Sequence, residues 1–242
     1  LPISAVERFG LAGALSRCAG MFAFALFDRR ERVLHLGRDR IGEKPLYFGR
    51  VGGALLFGSE LKALCAHPLP PRAVDRGALA LFLRYGYVPA PHSIYEGVRK
   101  VRPGTFVSIS AAGERETTYW SARAEVERGA ADPLRCDPIE AVGVVEAALR
   151  RTISEQMVAD VPVGAFLSGG VDSSLVVALM QAEAGARVRT FTIGFREKGY
   201  DEADHARAVA AHLGTDHTEL YVTPQEALAV IPELPRISDE PF

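Results

Sequence analysis

The 242-residue chain is poor in cysteine: Cys18, Cys65 and Cys136 are the only three, and no two form a CxxC pair. An odd and sparse set cannot build a disulfide framework, so a reducing cytoplasm is the expected compartment. The six histidines contain no HxH or HExxH spacing, which removes the usual zinc signatures. Surplus positive charge is missing: 28 Lys and Arg face 30 Asp and Glu, a net charge of -2. A nucleic-acid backbone would find no basic excess to hold it. Long apolar runs are missing as well. The longest, Met21–Phe27, has seven residues, where a membrane helix needs ~20. The start Leu1-Pro2-Ile3 lacks the basic stretch that opens a signal peptide. Neither nucleic acid nor membrane is an expected partner. With no initiator Met, and with Asp239-Glu240-Pro241-Phe242 at the other end, both termini read as cuts through a longer protein.

What is present is ordinary globular composition, 48% apolar and 24% charged, arranged in two dissimilar regions. Residues 1–120 read as a helix over Ala5–Leu15 followed by many short strands. Met21–Phe27 alternates large and small apolar residues, which suits a strand buried on both faces. Asp28–Arg32 makes a turn, and Val33–Gly37 returns as the second arm of a hairpin. Lys44–Phe48, Gly52-Gly53 and Ala54–Gly58 repeat the strand–turn–strand theme. Short helices are expected over Glu60–Cys65 and Asp75–Tyr85, and late strands over Gly104–Ser110 and Thr117–Trp120.

Residues 121–137 are charged, rich in Ala and Gly, and end in two Asp-Pro steps that resist helix; they form the expected linker. From 138 to 242 the pattern becomes alternating helix and strand. Pro138 opens a helix with Val142, Val145, Leu149, Ile153 and Met157 at helical spacing. Strand Val161–Leu167, helix Ser174–Ala184, strand Val188–Gly194, helix Asp201–Leu213 and strand Thr218–Val222 follow, and Thr223 caps a last helix. Such alternation predicts a parallel, doubly wound α/β sheet, which binds ligands beyond the carboxyl ends of its strands.

Directly after the first of those strands stands Ser168-Gly169-Gly170-Val171-Asp172-Ser173-Ser174. Two glycines permit a left-handed backbone and close approach to a ligand. Successive N–H groups and the following helix N-terminus favour an anion, and three serines add hydroxyl donors. Only Asp172 would repel a phosphate. A divalent cation resolves this: Mg2+ bridging Asp172 and phosphate oxygens suits hard oxygen ligands. The loop is not a Walker A motif, because none of Lys44, Lys62, Lys100 and Lys198 follows a glycine, and no GxG is present. Without a loop lysine on the β/γ-phosphates, pyrophosphate as leaving group, with transfer of AMP, fits better than γ-phosphoryl transfer. The plainer alternative is a tight strand-to-helix turn with Asp172 or Ser173 as helix cap.

Ser168–Ser174 resembles the SGGxDSS pyrophosphate loop of the N-type ATP pyrophosphatases. Its surroundings, Val161–Ser174, Thr190–Phe195, Tyr200–Ala203 and His212–Thr215, resemble glutamine-dependent asparagine synthetase. So do Gly20–Asp28, Arg38–Tyr47, Gly58–Ala63 and Arg84–Pro91, which are similar to the later part of that family's glutaminase domain. The resemblance implies a partial Ntn-hydrolase-type α+β domain of stacked antiparallel sheets, followed by a partial doubly wound parallel-sheet adenine-nucleotide-binding domain. It implies ATP and Mg2+ as cofactors, and glutamine with aspartate, or another carboxylate, as small-molecule substrates. Ammonia released from glutamine would attack an acyl-adenylate, β-aspartyl-AMP for asparagine synthesis. Acids other than aspartate (sugar, peptide or β-lactam precursors) and a non-catalytic nucleotide-binding module are the alternatives, and a homodimer is compatible with all of these.

The nucleotide-binding set so implied is Leu167, Ser168, Gly169, Gly170, Val171, Asp172, Ser173, Ser174, Ile193 and Gly194, with Asp172 as metal ligand. Leu167 and Ile193 would pack the adenine, although either would serve equally as core. The family's nucleophilic N-terminal cysteine would precede Leu1, and its acidic synthetase loop and catalytic lysine would follow Phe242. No complete catalytic set is therefore expected within these residues, and the internal cysteines read as small buried hydrophobes. Arg29, Arg30 and Arg32 read as a solvated turn, and Arg38-Asp39-Arg40 as an ion pair fixing the domain rather than a catalytic group. Gly58, Ser59 and Glu60 would line the contact between the two halves, as the resemblance implies. Asp239-Glu240 is placed toward the acyl-acceptor site. His205, His212 and His217 fall near the nucleotide side without metal-ligand spacing.

Overall fold

The computed structural model describes residues 3–71, 73–195 and 201–241. The chain forms two compact units, Leu1–Pro133 with Leu234–Phe242, and Leu134–Glu233.

The first unit begins with α1 (Ile3–Leu15), broken at Gly10, whose φ of 69° no continuous helix accommodates. Strands β1 (Ala23–Asp28), β2 (Val33–Arg38), β3 (Tyr47–Val51) and β4 (Ala54–Gly58) follow, then α2 (Leu61–Cys65) and α3 (Arg76–Tyr85). Strands β5 (Val98–Lys100), β6 (Thr105–Ser110) and β7 (Gly113–Thr118) precede α4 (Ala122–Ala131). All pairings here are antiparallel, in the orders β1-β2-β6-β7 and β4-β3-β5. One buried cluster joins the two sheets, with Leu36, Val107 and Ile109 from the first and Phe48 from the second. The opposite side of β3 offers Tyr47, which packs with Val98 and with Leu61 and Leu64 of α2. Gly52 and Gly53 both take positive φ in the β3–β4 turn, the backbone that a tight hairpin needs.

Three expectations change. β1 lies at the edge of its sheet, with Phe27 and Met21 exposed; its large–small alternation does not bury both faces. The expected linker holds a helix, α4, capped by Ser121 accepting the Ala124 N–H, with none of its residues buried. The Asp132-Pro133 step follows its end, and Asp137-Pro138 opens the next helix. Arg38 and Asp39 do not serve as an ion pair to each other. The Asp39 carboxylate is fully buried and accepts the N–H groups of Phe22, Gly42, Glu43 and Lys44. Arg38 donates to the carbonyls of Lys44, Val101 and Gly42. Each side chain thus satisfies backbone groups of a loop that has no ladder of its own.

In the second unit, α5 (Pro138–Gln156) starts with an Asp137/Glu140 capping box. Strand β8 (Gly164–Phe166), α6 (Val171–Glu183), β9 (Arg189–Phe195), α7 (Ala203–Leu213), β10 (Asp216–Val222) and α8 (Pro224–Val230) alternate thereafter. The sheet is parallel, in the order β10-β9-β8, as the alternation predicts. Ile153 of α5 packs with Leu179 and Met180 of α6, while Val177 of α6 packs with Ala206 and Ala210 of α7. A last helix, α9 (Leu234–Ile237), belongs to the first unit. Among the described residues no helix is long and apolar enough to cross a membrane.

Candidate functional site

Residues 168–170 leave the carboxyl end of β8, and Val171 begins α6 with Gly170 as its N-cap. The strand end is pinned before the loop starts. Leu167 N–H donates to the Phe191 carbonyl, and the Thr192 hydroxyl donates to the Leu167 carbonyl. Gly169 then takes φ +76°, and a Cβ there would lie 2.7 Å from His205 Cβ and 2.8 Å from the Ala206 nitrogen. This position requires glycine twice over, for its backbone and for its neighbour. Gly170 differs: it is extended, with φ -73° and ψ 163°, and a Cβ would meet only Ser168 Oγ at 3.4 Å. The left-handed turn that the sequence allows at either glycine occurs at the first.

The loop is exposed over Ser168, Gly170, Val171 and Asp172. Two of its amides are held internally, Ser168 N–H by Ser173 Oγ and Gly170 N–H by Ser168 Oγ, both at 3.3 Å. Among the described residues nothing accepts from the amides of Gly169, Val171, Asp172 or Ser173. The last three are the first-turn donors that a helix cannot satisfy itself. These four N–H groups therefore stand without a partner among the described residues at the positive end of a 13-residue helix.

The hydroxyls behave otherwise than expected. Ser168 Oγ and Ser173 Oγ lie 3.0 Å apart, and Ser173 also donates to the Gly170 carbonyl. Ser174 Oγ is buried and has no partner among the described residues. Asp172 is exposed on the first turn of α6. No group of three or more potential metal ligands occurs among the described residues. A cation here would have one protein carboxylate and would take its other ligands from a bound anion and water, which is the usual sparse protein ligation of Mg2+.

The remaining expected site residues separate. Ile193 is 49% exposed at the carboxyl half of β9. Leu167 is 1% exposed and packs with Val177, Ala206 and Ala210. Its side chain is core and offers an adenine no surface. Gly194 is a spacer: a Cβ would lie 2.7 Å from the Tyr221 ring and 3.1 Å from Ala203 Cβ. Of the three histidines, only His205 reaches the loop. His212 is in the last turn of α7. His217 pairs across from Thr190 near the amino ends of the strands, its Nδ1 2.9 Å from the Thr190 hydroxyl. The contact between Gly169 and His205 follows from two helices meeting, and no spacing rule in the sequence could have signalled it. Of the stretch Tyr200–Ala203, Tyr200 lies outside the described residues.

Near α7, Arg207 donates to both Glu219 oxygens at 2.7 and 2.6 Å and to Asp204 at 2.8 Å. Those hydrogen bonds hold the Glu219 carboxyl below its usual range and raise the guanidinium. Asp239 and Glu240, expected near an acyl acceptor, are engaged within the first unit. Asp239 accepts the Leu61 N–H at 2.7 Å. Glu240 accepts the Ile94 N–H at 2.8 Å and pairs with Lys100 Nζ. Burial pushes the nearby Tyr47 hydroxyl up, and the Glu240 charge adds to this. Ser59 and Glu60 line a cleft of the first unit that Asp239 and Glu240 also line.

Comparison with known proteins resolves the two regions. Residues 3–120 match the glutamine amidotransferase domain, and residues 144–242 match asparagine synthase. The chain belongs to the glutamine-dependent asparagine synthetase family. A glutamine-hydrolysing asparagine synthetase 1 of Bacillus subtilis is 32% identical over 95% of this chain and 35% of its own length. Asparagine synthetase 3 of the same organism is 29% identical over 92% of this chain and 38% of its own length. Amidase chyE of Penicillium rubens is 32% identical over 94% of this chain and 35% of its own length. The chain thus spans about a third of the length of these family members. Among solved structures, a glutamine PRPP amidotransferase from B. subtilis covers 93% of this chain and 62% of its own at 16% identity, with a TM-score of 0.33. A superposition that loose does not bear on the site.

Proposed function

We propose that the second unit binds ATP through residues 168–174, as the nucleotide-activating part of a ligase that adenylates a carboxylate for amidation by glutamine-derived ammonia. The observation that carries this reading is the set of four amides at Gly169, Val171, Asp172 and Ser173 that have no partner among the described residues, set beside an exposed carboxylate on the same helical turn. Amides alone would favour any anion. The carboxylate restricts the ligand to one that arrives with a cation.

The chain's residues divide the work. The amides hold the β- and γ-phosphates as a unit, so that the bond left free to break lies at the α-phosphorus. Ser168 and Ser173 hold the loop in shape, and Ile193 offers apolar surface beside it. Asp172 would hold Mg2+, which when bound neutralises charge on the departing pyrophosphate. The amidotransferase domain over residues 3–120 supports glutamine as nitrogen source, and asparagine synthetase homologues support aspartate as the acid. An amidase also shares this sequence pattern, and exchange with different acids separates the possible substrates.

The test is binding of ATP to the 242-residue chain with and without Mg2+, for the native sequence and for Asp172→Ala. Mg2+-dependent affinity that the substitution lowers by an order of magnitude or more supports the reading; equal affinity in both proteins refutes the cation bridge. Acid-dependent exchange between ATP and pyrophosphate identifies the substrate. Exchange with another acid and none with aspartate would reject asparagine synthesis.

A further inference from the structure

We propose that His205, on the first turn of α7, donates a ring N–H to the pyrophosphate portion of the nucleotide held by the loop, and so belongs to the binding site. The inference rests on the reading of that loop as a pyrophosphate site and adds to it a donor from a different helix. Its basis is the way α7 begins. Gly169 and Gly194 both lack a side chain where the first turn of α7 packs: Ala203 lies against Gly194, and His205 and Ala206 against Gly169. The two absences bring the turn onto the carboxyl end of the sheet. Because His205 Cβ itself is the nearest atom to the missing Cβ of Gly169, its side chain departs from the backbone at the loop.

Arg207, Asp204 and Asp201, three charged neighbours of His205, are committed elsewhere. Arg207, the stronger cation of this turn, is held by Glu219 and Asp204. Asp201 accepts the Ala203 N–H at 3.0 Å. The imidazole of His205 is exposed and has no hydrogen bond or ion pair among the described residues. It is a donor without a partner among the described residues, on the turn that packs against Gly169, and a bound polyphosphate would satisfy both it and the loop amides.

The probe is magnesium pyrophosphate, titrated into the 242-residue chain and followed by calorimetry and by the ring resonances of His205. A hydrogen bond to a charged group corresponds to about a tenfold change or more. His205→Ala should therefore bind pyrophosphate at least about tenfold more weakly with an unchanged melting temperature, and His205→Lys should recover affinity. The His205 ring signals should shift on adding pyrophosphate to the native chain. Binding by the native chain that His205→Ala leaves intact, or ring signals that do not move, overturns the inference alone. Failure of the native chain to bind pyrophosphate overturns the loop reading and this inference together.

Discussion

Alanine in place of Gly169 and alanine in place of Gly170 should behave as opposites, although the motif treats the two glycines alike. At Gly169 the left-handed backbone, φ +76°, costs a residue with a Cβ about 1–2 kcal/mol. The new methyl would also stand 2.7 Å from His205 Cβ and 2.8 Å from two backbone atoms of α7. Backbone cannot swing aside as a flexible side chain can, so an overpacking cost of about 1–3 kcal/mol follows. Together these remove about 2–5 kcal/mol from a unit of ordinary marginal stability, and lower its melting temperature by roughly 10 °C or more. At Gly170 the backbone is already one that alanine adopts, and the nearest atom stands at 3.4 Å. The change there should stay within about 1 kcal/mol, because the entropy lost from the unfolded chain offsets a poorer helix cap. Thermal unfolding followed by circular dichroism, with native, Gly169→Ala and Gly170→Ala proteins side by side, measures the contrast. A Gly169→Ala protein that melts with the native one refutes the packing of α7 on the loop. A His205→Gly change added to Gly169→Ala should restore only part of the loss, since the Ala206 nitrogen remains in the way.

In the first unit, Glu240 and Lys100 are 9% and 13% exposed at their side chains, and removing one partner of such a pair strands the other. Glu240→Gln should cost about 3 kcal/mol, at the low end of the range for buried pairs because Lys100 still reaches the Val88 carbonyl; urea denaturation should show the Lys100→Met/Glu240→Leu double variant less destabilised than the sum of its singles. Burial lowers the His35 pKa, and the ring keeps a 2.9 Å contact with the Ser108 hydroxyl. A depressed histidine means that the folded state binds its proton less readily than the unfolded chain does, so its contribution is complete above pH ~6.5 and declines as pH falls below that value. Melting curves between pH 7.5 and 5 should show this decline, and His35→Gln should flatten it; an unchanged slope would assign the pH dependence elsewhere.

Wherever one local rule decides the conformation, the sequence was sufficient. Asp137-Pro138-Ile139-Glu140 and Thr223-Pro224-Gln225-Glu226 both form the capping boxes that their spacing requires. Gly52-Gly53 turns the β3–β4 hairpin for the reason that any pair of adjacent glycines can. The parallel order of β8, β9 and β10 follows from crossover helices between them. Reading failed where a rule needs the neighbour to be known. The large–small alternation of Met21–Phe27 could not say which strand would stand at an edge. Composition could not show that Ser121 would cap a helix through the linker. Leu167 and Ile193 look interchangeable as text, yet one is 1% exposed and the other 49%, because their side chains fall on surfaces covered to different extents by helices. Asp239 and Glu240 were drawn toward the synthetase chemistry by their place in the chain, whereas their partners, Leu61, Ile94 and Lys100, are distant in sequence and belong to the first unit.

The serines carry the same distinction into the binding site, with a measurable consequence. As hydroxyl donors they would add directly to the grip on an anion. In the structure Ser168 Oγ accepts the Gly170 N–H and sits 3.0 Å from Ser173 Oγ, while Ser173 Oγ accepts the Ser168 N–H and donates to the Gly170 carbonyl. Each hydroxyl has one proton. If Ser173 gives its proton to Gly170, the proton of Ser168 completes the link to Ser173, and neither remains for a ligand. The two side chains then act as one brace, and losing either breaks it. Ser168→Ala and Ser173→Ala should each weaken magnesium pyrophosphate binding by about tenfold, and the double variant by little more than either alone, a coupling of about 1 kcal/mol. Were the hydroxyls instead separate contacts to the phosphates, the two losses would multiply to about a hundredfold. Multiplication would mean that the brace opens on binding and that the serines, and not the amides alone, hold the anion.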